Sequence, residues 1–355
     1  MIDVAIIGGG PAGSATAIAL ARAGRSVVVI ERTLYDNVRI GETVPPKTRL
    51  LLCQLGVLTD FQNAGHMAAP GIVSVWGGSE RYTNDFIVNP YGNGWHVDRQ
   101  RFDRMLAAHT RDCGVEVRRQ TTVTACEPGD NNWRIGLQST TGSATLACRF
   151  VVDATGRRAS PLKRCAGHRV VRDRLIGIAA FTPPGCSDQR TLIEATAGGW
   201  WYSALLPGDQ QVNVYMTDAD TIDCGRNDLV SFLRRELRHA PFTRERCSGL
   251  TDIAYVAPFA AMTYNHAQVH GRNWLLVGDA AMAWDPLSGQ GICKALESGM
   301  HAAGAIDRAL NGAGHRLDDY AQWTHDRFGV YMQSRAQHYR AEQRWPDAPF
   351  WRRRH

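Results

Sequence analysis

The chain has 355 residues, 44% hydrophobic and 21% charged. That balance excludes a disordered polypeptide and leaves ample length for a sizeable core. The net charge of +6 is concentrated late: residues 333–355 hold six arginines against Glu342 and Asp347, which argues for a basic tail rather than a nucleic-acid-binding face.

No run of ~18 apolar residues occurs, so no membrane-spanning helix is expected. Met1 leads directly into an apolar strand without a leader pattern, and a cytoplasmic location is the expectation. Nine cysteines at irregular spacing, with no CxxC pair, argue against a disulfide framework and against a zinc site, and no metal is expected. They read as ordinary buried thiols.

Residues 3–7 form a short apolar strand, followed by Gly8-Gly-Gly-Pro-Ala-Gly13. Small and aliphatic residues at 14–23 recur at helical spacing, and Gly24 supplies a stop. Residues 26–30 then read as a buried strand ending at Glu31. Strand, glycine turn, helix and strand make the opening βαβ unit of a dinucleotide-binding fold. Residues 45–58 read as a helix, and 72–76 and 86–88 as strands. The stretch 99–113 is a helix with Phe102, Met105 and Leu106 at core spacing. Strands are expected at 115–117, 121–126, 133–137 and 147–152, the last running into Asp153-Ala-Thr-Gly156.

From about 170 to 265, alternating strands such as 200–206 and 211–216 suggest an antiparallel sheet. Residues 274–277 return to the buried parallel style before Gly278-Asp279, and helices fill most of the remainder. The fold class is therefore α/β, with a split dinucleotide-binding domain (1–70, 95–168 and 266–310). An inserted antiparallel-sheet substrate domain takes 71–94 and 169–265, and a helical tail 311–355.

Gly8 permits the tight turn, Gly10 lets backbone approach a pyrophosphate, and Gly13 lets helix pack on strand. The helix N-terminus, with Ala12 and Ser14 in its first turn, offers free N–H groups to phosphate. Glu31, followed by Arg32, is placed to accept hydrogen bonds from a ribose. This unit alone fits NAD as well as FAD.

The second half lies far along the chain, where Gly278-Asp279-Ala-Ala precedes Asp285-Pro-Leu-Ser-Gly-Gln-Gly-Ile292. Here the sequence resembles the FAD-dependent monooxygenases, geranylgeranyl-reductase-like enzymes and flavin halogenases, with their glutathione-reductase-like fold. The resemblance covers residues 1 to about 305. It implies that Asp279 holds the ribityl chain of a noncovalent FAD, and that Pro286, Gly289, Gly291 and Ile292 line the flavin's pyrimidine edge. Helix amides there would stabilise negative charge on reduced flavin. The motif starting at Val97 implies Arg99 over the pyrophosphate. Val123 and Asp153 join the cofactor set, the latter in a crossing loop near adenine with Arg157. Gly41-Glu42-Thr43 matches a turn beside the isoalloxazine. With no second GxGxxG turn, electrons are expected from transient NAD(P)H or from a separate flavin reductase.

Halogenases of this family add a lysine and a WxWxIP strand. Here no lysine lies between Lys47 and Lys163, and the strand reads Tyr202-Ser-Ala-Leu-Leu-Pro207, which disfavours halogenation. Trp200, Tyr202, Ala204 and Leu206 share one strand face and floor a substrate cavity in the monooxygenase reading, unless Trp201, Ser203 and Leu205 face inward instead. Glu42, His96 and Trp284 complete the catalytic candidates, His96 as an acid or base near neutral pH. A reductase of isoprenoid double bonds ranks lower, because the substrate lobe is short and polar. Within the monooxygenases the chain resembles flavoproteins that mature tryptophylquinone cofactors. That implies an aromatic, tryptophan-like substrate on a partner polypeptide, with a small-molecule tailoring monooxygenase as the alternative. The arginines at 335, 340, 344 and 352–354 would then meet an acidic partner.

Overall fold

Strands buried on both faces read as unbroken apolar runs, and Ile2–Ile7 and Val27–Ile30 do so at the centre of a parallel sheet. In the computed structural model, which describes residues 1–158, 161–225 and 228–355, Ile2–Ile7 lies between Val27–Ile30 and the end of Gly142–Asp153. Glu116–Arg118 and Trp274–Leu276 extend the sheet on either side, all in parallel. Thr122–Pro128 and Trp133–Ser139 add an antiparallel meander to the outer half of Gly142–Asp153.

Two helices close one face. Pro11–Arg22 follows the glycine turn, and Gly291–Leu310 crosses it closely. At the crossing, a Cβ on Gly299 would fall 2.5 Å from the Ala12 carbonyl and 2.9 Å from the Ala15 Cβ. Only glycine fits there, and the backbones of two segments distant in sequence therefore touch.

The second sheet has seven strands in the order Tyr255–Ala260, Leu175–Thr182, Gln210–Asp218, Gly199–Leu206, Thr191–Thr196, Gly71–Val75, Tyr82–Asp85. Its neighbours are antiparallel except Gly71–Val75, which joins Thr191–Thr196 in parallel. A small ribbon of Thr43–Val44, Gly94–His96 and Met67–Ala69 adjoins it. Alternation along Gly199–Leu206 sends Trp201 against Tyr215 and the helix Leu229–Leu237. Trp200, Ala204 and Leu206 face the other way, onto Tyr339, Phe350 and Trp351.

Three expectations change. Residues 86–88 are a 3-10 turn, because Phe86 N bonds back to the Pro70 carbonyl at 2.7 Å and the strand is the preceding Tyr82–Asp85. Residues 45–58 are not one helix: Thr48–Gln54 stops at Gly56, and Leu58–Asn63 follows. All nine cysteines are free, but only Cys148, Cys247 and Cys293 are buried. Among the described residues no helix is long and apolar enough to cross a membrane, and no cluster could hold a metal ion.

The basic tail also reads differently in three dimensions. Arg354 and Asp218 form an ion pair that is almost wholly buried, and Arg353 bonds Asp218 and Asp220 at 2.8 Å. Arg344 pairs with Glu342, and Arg335 with Asp173 and Asp285. These four arginines serve the chain's own carboxylates, which leaves Arg340 and Arg352 of the expected partner surface exposed. Trp351 is fully buried against Trp76 and Tyr339, and its Nε1 donates to the Thr196 carbonyl at 2.9 Å. Trp351→Ala is expected to cost about 3–5 kcal/mol, and truncation after Gln343 to abolish cooperative unfolding. Urea denaturation measures both.

Candidate active site

The phosphate turn is built by close backbone approach. Gly8 has φ +106°, and a Cβ on it would lie 2.5 Å from the Ala154 carbonyl; one on Gly13 would lie 1.9 Å from the Gly8 carbonyl. Helical hydrogen bonding begins at Ser14 N to Gly10 O, 2.9 Å, so the amides of Ala12 and Gly13 precede it. Ser14 Oγ turns back to Gly9 O at 3.1 Å. Ala12 is buried beneath Gly278, where an added Cβ would come within 2.7 Å of it.

Glu31, expected at a ribose, is engaged by donors of its own chain. Its Oε2 accepts from Gly9 N at 2.9 Å, and its Oε1 accepts from Thr33 N at 3.0 Å and Thr33 Oγ1 at 2.7 Å. One carboxylate thereby fixes the turn and the following loop, while a carboxylate retains capacity for further donors. Arg32 is exposed.

Sequence reasoning missed Arg39 and Tyr35. Arg39 Nη1 lies 3.0 Å from Asp103, whose carboxylate also meets Arg99 Nη2 at 3.3 Å. Arg39 Nη2 also lies 3.7 Å from Glu31 Oε1, so the two guanidiniums are matched by two carboxylates. A Cβ added at Gly10 would stand 3.7 Å from Arg39 Nη1, which locates that guanidinium at the glycine turn. Arg99 Nη1 also donates to Ile40 O at 2.6 Å, and its Nε has no partner. The Tyr35 hydroxyl is buried and unpartnered over Gly9, and burial pushes the phenol upward. Neither residue belongs to a motif; their only sequence signal is position in the loop after Glu31.

Asp153 Oδ1 accepts from Thr155 N and Oγ1 at 2.9 and 2.7 Å, which closes the crossing loop. Val123 is half-buried opposite Leu137, beside a bulge.

At the distant loop, Gly278 N donates to Ser298 Oγ at 2.9 Å, and Asp279 follows with its side chain 29% accessible. Lys294 Nζ contacts one carboxylate oxygen of Asp279, and Arg157 Nε lies 3.2 Å from the other. Burial alone would raise the Asp279 pKa, but the two cations outweigh it and hold the group below its ordinary value. Pro286–Ser288 makes a single turn, Gly289 is left-handed, and Gly291 opens the long helix. A Cβ at Gly289 or Gly291 would meet nothing within 4 Å, whereas Ile292 is buried against the protein. Room beside Gly10, Gly289 and Gly291, cations at both ends and the unpartnered Arg99 Nε and Tyr35 hydroxyl suit a flavin dinucleotide running from one turn to the other.

The third group converges on the ribbon. Glu42 is 3% exposed; its Oε2 accepts from Gly41 N at 3.0 Å, and its Oε1 has no partner. Burial pushes its pKa up to about 7, against the pull of Arg99. Thr43 Oγ1 is 2.7 Å from the Tyr202 hydroxyl, so the Trp200–Tyr202 face of the strand looks toward the ribbon. Ser203 instead bonds Asn213 on the opposite side.

The other catalytic candidates lie elsewhere. His96 pairs with Thr43 along the ribbon, but its Nε2 is 2.8 Å from Thr191 Oγ1, and burial lowers its pKa to about 4. It is neutral at physiological pH and does not titrate there as expected. Trp200 is buried and donates to the Tyr339 hydroxyl at 3.2 Å. Trp284 is stacked on Tyr331 at 4.8 Å, in a cluster with Phe328 under the helix Arg316–Ala341.

Two outcomes are expected. Asp279→Ala weakens FAD binding by roughly 1.5–3 kcal/mol, the range for a hydrogen bond to a charged group, as read by flavin fluorescence titration. The folded Glu42 pKa lies above its ordinary 4.5, so the folded state keeps a proton that the unfolded chain has released. Relative to Glu42→Gln, the parent protein is most stable below about pH 4.5 and loses on the order of 3 kcal/mol as pH rises to about 7. Denaturant melts across that window test it.

A model of the FAD binding domain family matches residues 1–333. The protein named FAD-dependent oxidoreductase LodB, from Marinomonas mediterranea, is 28% identical over 363 residues, covering 99% of this chain and 96% of its own. Flavin-dependent halogenase armH1 of Armillaria mellea is 26% identical over 343 residues, 87% of this chain and 65% of its own. The myxobacterial chondrochloren halogenase CndH superposes with a TM-score of 0.93 at 24% identity, over 99% of this chain and 85% of its own, a likeness of fold alone. The peptidyl tryptophan dihydroxylase QhpG gives 0.83 at 25% identity, over 99% and 78%. With a family match across nearly its whole length, the chain belongs to the FAD binding domain family and is an FAD-dependent oxidoreductase.

Proposed function

We propose that the protein is a monooxygenase that hydroxylates a tryptophan or similar aromatic ring carried on a partner polypeptide. The observation that carries this reading is the buried Glu42 carboxyl beside the Thr43–Tyr202 pair, with one oxygen unpartnered and a pKa pushed up to about 7. A carboxyl poised there can take up the proton that a ring carbon loses on hydroxylation. Tyr202 and Thr43 would orient the ring, and the aromatic-lined sheet would exclude water. Bound FAD supplies the activation of dioxygen. The overall reaction balances as aromatic C–H, dioxygen, a two-electron donor and two protons giving aromatic C–OH and water. NAD(P)H or a separate flavin reductase is the donor in this reading.

One comparison favours a polypeptide substrate: QhpG is by name a peptidyl tryptophan dihydroxylase. Adenine, ribityl chain and flavin would be held by the residues described above, from Gly8 to Ser14 and from Asp279 to Ile292. The halogenases among the relatives favour a second reading, halogenation of the same ring. Against it stand Tyr202 and Ala204 in the strand before Pro207, and the lysine-free stretch 48–162.

The test supplies purified protein, FAD, reductant and dioxygen to candidate partner polypeptides with bromide present, and reads products by tandem mass spectrometry. The expected product gains oxygen on a tryptophan and no bromine. A brominated ring establishes halogenation instead, and efficient hydroxylation of free tryptophan with polypeptides untouched removes the carrier. Glu42→Gln is expected to lower kcat by about 10²-fold or more.

A further inference from the structure

The chain has three lysines in a combined lysine and arginine count of 40, and one of them is almost wholly buried at the cofactor cradle. Lys294 sits in the first turn of Gly291–Leu310. Its Nζ contacts Asp279, donates to the Met282 carbonyl at 2.6 Å, and lies 5.5 Å above the Trp284 ring. Arg157 reaches the same carboxylate from the crossing loop, and its guanidinium also donates to the Met262 and Trp284 carbonyls at 2.6 Å each. An ammonium is compact and presents its three donors in any direction, which a planar guanidinium cannot do in so narrow a space.

We propose that Lys294 is a positioning residue that fixes the Asp279 carboxylate against the ribityl chain of FAD. This rests on the reading of Asp279 as a cofactor contact. Three segments converge on the cradle: the Gly278–Asp279 loop, the Met282–Ala283 strand and the helix start after Gly289. The Lys294 side chain bonds the first two and is itself rooted in the third. Without the ammonium, the ion-pair partner left to Asp279 among the described residues would be Arg157, and the carboxylate would swing toward it. The carboxylate would then be held by the adenine-side loop instead of by the flavin-side helix. The effect of Lys294 on FAD therefore passes through Asp279, and its loss adds nothing once Asp279 is neutral.

The test is a double-mutant cycle on the full chain, with FAD dissociation constants from flavin fluorescence and thermal melts of the apoprotein alongside. Lys294→Gln and Asp279→Asn are each expected to raise the dissociation constant at least tenfold. Lys294→Gln/Asp279→Asn is expected to stay within twofold of Asp279→Asn alone. A Lys294→Gln protein that binds FAD within twofold of the parent, while its apoprotein melts lower, makes the lysine merely structural and overturns the proposal. So do losses that multiply in the double variant. Unchanged affinity in Asp279→Asn alone removes the underlying reading, an outcome distinct from failure of the lysine. If Lys294→Gln does not fold, Lys294→Met/Asp279→Asn against Asp279→Asn decides. Equal affinity supports the coupling, and a further tenfold loss refutes it.

Discussion

The contact of Gly299 with the backbone of Ala12 holds the cofactor cradle together. The glycine turn at residues 8–13 and the loop from Gly278 to Gly291 lie on opposite stretches of the chain, and the helix crossing brings them together. Their helices must lie close enough for both sets of N-terminal amides to face one molecule. Ala12, Ala15, Thr16 and Gly299 permit this because none carries bulk at the crossing. Larger side chains would push the helices apart and lengthen the cradle, whatever the motif residues did.

Around that crossing, electrostatics divides the cradle into regions of different character. At one end two arginines share Asp103, and at the other Lys294 and Arg157 share Asp279. The second has one more cation than anion, whereas at the first Arg39 also lies 3.7 Å from Glu31, which brings two cations against two anions. Glu42 stands apart, desolvated and only distantly opposed by Arg99, and it is the carboxyl driven toward neutrality. Environment rather than residue type separates the two carboxyls: two cations hold Asp279 below its ordinary value, and burial drives Glu42 above its own.

Much of this was legible in the sequence. The βαβ unit, the GxGxxG turn and the Gly-Asp loop mark their own places, because glycine and aspartate there answer to local backbone needs. The face of the Trp200–Leu206 strand was not legible, since both alternating sets are apolar enough to be buried. A contact from another segment, Thr43 to Tyr202, decided it. Arg39, Tyr35 and the role of Lys294 were hidden for the same reason: their partners are remote in sequence. His96 misled because its residue type suggests titration near neutrality, while complete burial fixes it neutral. The tail arginines misled because composition counts charges without showing the carboxylates they meet.

The parallel pairing of Gly71–Val75 with Thr191–Thr196 has a consequence for the newborn chain. As residues leave the ribosome, Gly71–Val75 can meet its hairpin partner Tyr82–Asp85 at once, but its other edge has no neighbour until residues 191–196 are synthesised. Through that interval the chain presents Ile72, Val73 and Val75 on an open strand, the kind of edge that recruits foreign strands. Translation speed between these two segments therefore sets how long the nascent protein is exposed to misassociation.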